Sequence, residues 1–133
     1  MRFLNPATMP APFGYSQVVE TGPGRTIHLA GQVAMNLAGE IVGRGDFGAQ
    51  SEQVFANIAA GLKACGASFG DVVKLTIYVT DISQMTAFRS VRDRYVNTER
   101  PPASTLVQVA GLVLEGLLLE IDVVAVVEAP APG

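Results

Sequence analysis

The chain has 133 residues, of which 49% are hydrophobic and 16% charged, with a formal net charge of −3. That length suits one domain, 1–133, with one real core, and the negative balance argues against a general nucleic-acid or anionic-membrane binder, which would be basic. The single cysteine, Cys65, excludes an internal disulfide and fits a reduced, cytoplasmic setting. So little charge on so apolar a chain points to a surface covered by copies of itself.

Residues 1–14, with three prolines and a glycine, read as an irregular lead-in without a signal-peptide-like apolar stretch. Tyr15–Glu20 is a strand candidate, Thr21-Gly22-Pro23-Gly24 a turn and Arg25–Val33 a second strand, so the pair is expected to form a hairpin. Gly31 inside the second strand suggests a bulge or a close backbone approach. Asn36–Gly45 is a glycine-punctuated loop with room for a short strand at Glu40-Ile41-Val42. Asp46 is placed to cap a helix on which Val54, Ile58, Leu62 and Cys65 recur at helical spacing, making Cys65 a buried small hydrophobe; Gly66 or Gly70 ends that helix.

Val72–Thr80 alternates cleanly as a strand, with Lys74, Thr76, Tyr78 and Thr80 opposite Leu75, Ile77 and Val79. Asp81 and Gln84 open a second helix with a stripe of Met85, Phe88, Val91 and Tyr95, which Arg100-Pro101-Pro102 stops. Arg89 and Arg92 lie three apart on a neighbouring face; by helix spacing Arg89 is expected to pair with Asp93 one turn on. Arg92 reads as a solvated or interface charge. Ser104–Val109 and Leu117–Val127 are the last two strands, followed by the tail 128–133, expected to fray.

The last strand is the most informative. Leu117, Leu119, Ile121, Val123, Ala125 and Val127 form one apolar face, while Leu118, Glu120, Asp122, Val124 and Val126 form the other. Carboxylates amid Leu, Ile and Val must meet a polar pocket, a partner or water. They also interrupt the longest apolar run, so no membrane span is expected. The order β-β-α-β-α-β-β predicts an α+β fold, a mixed sheet with both helices on one face. The bare opposite face is then covered by self-association, with Leu118, Val124 and Val126 needing cover.

No metal constellation is legible from one His and one Cys; His28 reads as a strand histidine. The glycines of 39–48 lack both P-loop and Rossmann spacing, and no Ser/His/Asp triad is visible. No cofactor is expected.

Four fragments carry a resemblance that covers nearly the whole chain: Leu29-Ala30-Gly31-Gln32-Val33, Asp71–Asp81, Arg100-Pro101-Pro102-Ala103-Ser104-Thr105-Leu106-Val107 and Leu119–Val126. They resemble the RidA/YjgF family of enamine/imine deaminases, also labelled endoribonucleases L-PSP or translation inhibitors. The resemblance implies a chorismate-mutase-like fold and a homotrimer whose sheets line a central barrel, with small-molecule clefts between subunits. It makes Glu120 the catalytic residue that positions or activates water, with Tyr15 and Gly31 lining the pocket. Ala30 stands where the family has a serine, Ser104 where an arginine grips the substrate carboxylate, Leu106 where a cysteine is common and Arg89 where an asparagine is usual. Ser104 has no charge and cannot make the two-pronged contact, which implies weak 2-aminoacrylate-type deamination. Three readings remain open: a hydrolase on an imine, enamine or related small molecule, with Arg89 holding an anionic ligand; a trimer that binds a metabolite without turnover; and a protein-interaction or chaperone-like trimer.

Overall fold

The computed structural model describes residues 1–130. A central sheet holds four strands in the order β3-β6-β4-β5, where β3 is Gly24–Gln32, β4 Val72–Val79, β5 Ala103–Gln108 and β6 Leu119–Glu128. β6 runs antiparallel to both β3 and β4, and β4 runs parallel to β5, so the sheet is mixed as expected. Two helices, α1 (Phe47–Ala64) and α2 (Met85–Tyr95), pack on one face.

The core follows the periodicities. Val54, Phe55, Ile58 and Leu62 of α1 and Met85, Phe88 and Val91 of α2 meet Leu75, Ile77, Leu119, Ile121, Val123 and Ala125 of the sheet. Burying each large apolar side chain contributes about 1.5–3 kcal/mol. The Asp46 carboxylate accepts the Ala49 N–H at 3.0 Å, a cap worth about 0.5–2 kcal/mol. Gly66, at φ +70°, supplies the left-handed turn that ends α1.

The structure corrects several expectations. The hairpin does not form: β2 (Val18–Glu20) pairs with β1 (Arg2–Leu4), inside the lead-in read as irregular, and β3 pairs with β6 instead. The segment 40–42 contributes only one bridge, Met35 with Ile41. Cys65 is exposed, because α1 stops at Ala64 and the cap residue no longer follows the helical phase. Asp81 caps a short 3₁₀ turn, Ile82–Gln84, through the Ser83 N–H, and α2 starts only at Met85 and ends at Tyr95, ahead of the prolines. Val126, at 8% exposure, is already covered within one chain. The tail was expected to fray from residue 128, but Glu128 closes β6 and its carboxylate accepts hydrogen bonds from the Met1 amine (2.7 Å) and the Gly22 N–H (2.9 Å). Residues 131–133 lie outside the described residues. The bulge near Gly31 is present as a register shift between Leu29 and Gln32.

Candidate functional site

A cleft of about 310 Å³ opens where α2, β5 and the N-terminal loop meet. The loop is placed by Ser16, which is buried: its hydroxyl donates to the Pro101 carbonyl at 2.5 Å and its N–H to the Pro102 carbonyl at 3.1 Å. That anchor sets Tyr15 against the start of β5. In the parallel register of β4 and β5, Ser104 lies beside Leu75 and Leu106 beside Ile77, so both side chains turn toward the helix side. Tyr15, Arg89, Ser104 and Leu106 all line the cleft. Four of the residues singled out in the sequence therefore share one site.

Glu120, Gly31 and Ala30 do not join them. Glu120 pairs across the strands with Tyr78, on the sheet face away from the helices. There its half-buried carboxylate occupies the space over Gly31: a Cβ at Gly31 would fall 2.6 Å from Cδ and 2.8 Å from Cγ of Glu120. Ala30 is exposed at the bulge, and its carbonyl accepts from the Gln32 side chain at 3.0 Å. β6 is registered by buried Gln50, whose amide donates to the Gly116 carbonyl and accepts the Leu118 N–H, both at 2.8 Å. Within one chain, the sheet itself separates Glu120 from the cleft.

Arg92 was expected to be a solvated or interface charge, but it lines the cleft, and its side chain is only 15% exposed. Its guanidinium lies 6.0 Å from the Phe88 ring centroid and packs on the backbone at Gly14, where a Cβ would come within 3.0 Å of Nη2. Gly14 also has φ +75°, so the close approach and the backbone both favour glycine there. Asp93 bonds Arg92, with Nε and Nη2 each 2.9 Å from Oδ1, and not Arg89 as expected. Arg89 is exposed and has no ion pair among the described residues. The signal for Arg92 was present in its three-residue spacing from Arg89; the largely exposed loop residue Phe13, which also lines the cleft, gave none.

His28 is exposed opposite Val124, and no group of three or more His, Cys, Asp or Glu placed to hold a metal occurs among the described residues. No helix among them is long and apolar enough to cross a membrane.

The comparisons with known proteins agree with this architecture. The family model described as Endoribonuclease L-PSP matches residues 7–127. Protein DfrA of Myxococcus xanthus is 39% identical over 112 residues, covering 84% of each chain. A 2-iminobutanoate/2-iminopropanoate deaminase of Dermatophagoides farinae is 32% identical, covering 96% of this chain and 97% of its own. The crystal structure of a Rid-family protein of unknown function from Yersinia pestis superposes with a TM-score of 0.86 at 40% identity, covering 95% of this chain and 98% of that one. With two helices on one face of a mixed sheet and a family match over nearly its whole length, the chain belongs to the RidA/YjgF family.

Proposed function

We propose that the protein is a homotrimer with small-molecule clefts between subunits, and that it hydrolyses an imine, an enamine or a related small compound. The observation that carries this reading is the division of the site. The cleft with Tyr15, Arg89 and Ser104 opens on the helix side, and Glu120 with Gly31 lies on the opposite face. A second copy laid against that bare face is the simplest way to bring a carboxylate to the cleft. Glu120 is the water-positioning group in this reading, since a carboxylate held beside apolar strand residues can accept a proton from attacking water. Arg89 supplies charge that Ser104 lacks. The deaminase name of the Dermatophagoides relative supports the reaction class.

The test is ammonia release from imines generated in place from a panel of amino acids. Acceleration by the wild-type protein and its loss in Glu120→Gln support the reading. Absence of acceleration on every imine removes the hydrolase. Neutral Ser104 and Ala30 favour a second reading in that case, a trimer that binds a metabolite without turning it over.

A further inference from the structure

The charges around the cleft are unequal in their freedom. Arg89 is exposed at the rim and unpaired among the described residues. Arg92 sits deeper, and Asp93 occupies its Nε and Nη2. A guanidinium has five N–H donors, so Arg92 keeps hydrogen-bonding capacity on Nη1 while most of its charge is answered. The remaining lining is uncharged: Phe13, Tyr15, Phe88, Leu106 and Ser104 among it. Two guanidinium groups and one carboxylate leave one net positive charge against an apolar wall.

We propose that Asp93 sets the charge selectivity of this cleft. By holding Arg92 it leaves Arg89 as the one uncompensated cation, so the cleft takes a monoanion with an apolar body in preference to a dianion or a neutral isostere. Asp93 acts through Arg92 and is a positioning residue. The inference rests on the cleft being the small-molecule site, and it does not require the hydrolytic step. A carboxylate brought by a second copy, Glu120, would cancel that net charge, so the preference over a neutral ligand then rests on direct contact with Arg89, while a dianion is opposed more strongly than a monoanion.

Three ketones, stable oxygen counterparts of imines, test it by calorimetry on the assembled protein at low salt: 4-methyl-2-oxopentanoate (monoanion), 2-oxoglutarate (dianion) and 4-methyl-2-pentanone (neutral). The wild-type protein should bind the monoanion about tenfold or more tightly than either of the others. Arg89→Ala should bring the monoanion down to the level of the neutral ketone. Asp93→Asn should improve 2-oxoglutarate several-fold relative to the monoanion, and Asp93→Glu should restore the original order, which a merely structural role would not do. Equal binding of the neutral ketone by the wild type, or a selectivity ratio unmoved in Asp93→Asn, overturns the proposal. Binding of the expected pattern with no ammonia release from any imine upholds it while removing the hydrolase reading. Failure of all three probes to bind overturns it together with the reading of the cleft as a ligand site.

Discussion

The carboxylate of Glu120 fills the volume that any side chain at position 31 would need, so Gly31 and Glu120 are fitted to each other across β3 and β6. The obstacle to a methyl group there is a side chain that can swing, not backbone. Gly31→Ala should therefore lower thermal stability by no more than about 1 kcal/mol, within the usual range for single substitutions, while displacing the carboxylate. We expect turnover to fall about as far as in Glu120→Gln, with ligand affinity retained. Melting curves and ammonia-release assays on both variants check this. Full activity in Gly31→Ala would show that the carboxylate does no chemistry where it now sits.

Ser104 shares its cleft with two arginines, which changes what a third would do. Two unit charges 4 Å apart repel by about 1 kcal/mol in water and about 4 kcal/mol at a partly desolvated surface. Ser104→Arg alone should thus give little gain in 2-aminoacrylate hydrolysis and a lower melting temperature. Ser104→Arg combined with Arg89→Asn should recover stability and give the larger gain. The wild type should be poor on 2-aminoacrylate; rates unchanged by either variant would mean that a strand-borne guanidinium is irrelevant here.

Assembly is the third prediction. Leu118 and Val124 are partly exposed on the face that carries Glu120 and Asp122, with Asp122 opposite Thr76. Analytical ultracentrifugation at micromolar concentration should give a trimer, and Asp122→Lys should shift it toward smaller species. A stable wild-type monomer would refute the shared cleft.

The acid limb of stability has identifiable sources. The Tyr95 hydroxyl, donating at 2.7 Å, and then the Arg94 guanidinium hold the Glu52 carboxyl below its ordinary value of 4.5. The N-terminal amine and the Gly22 N–H lower Glu128 likewise. Both groups bind protons more readily unfolded than folded, so their stabilisation is complete above about pH 4.5 and is lost as pH falls through the depressed folded values. The melting temperature should be flat from neutrality to about pH 5 and then drop. Glu52→Gln should lower it at neutral pH and flatten the drop. An unchanged acid limb in that variant would assign the loss elsewhere.

Much of the fold was legible because alternation and helical spacing are local. Leu75, Ile77 and Val79 are buried as their period demanded, and so are Val54, Ile58 and Leu62. Pairing partners were not legible. A Gly-Pro-Gly turn after Val18–Glu20 looks like a hairpin, yet β3 finds its partner about a hundred residues on, where β6 offers a longer apolar match. Cys65 failed by one residue, since a stripe has no meaning past the helix end. At the site, the family resemblance marked Tyr15, Arg89, Ser104 and Leu106, but not the sheet lying between them and Glu120. Arg92 pairing with its neighbour Asp93 defied the rule that adjacent helix positions face apart, because a long side chain can fold back along the surface.

The exposed end of α1 has a practical consequence. Cys65 is the sole thiol and lies in the open, so a nitroxide attached there gives each subunit one spin at an equivalent point. In a threefold assembly every inter-label vector has the same length, and dipolar spectroscopy would return one sharp distance. Its modulation depth counts the copies directly, and spin dilution with unlabelled chains would report how fast subunits exchange.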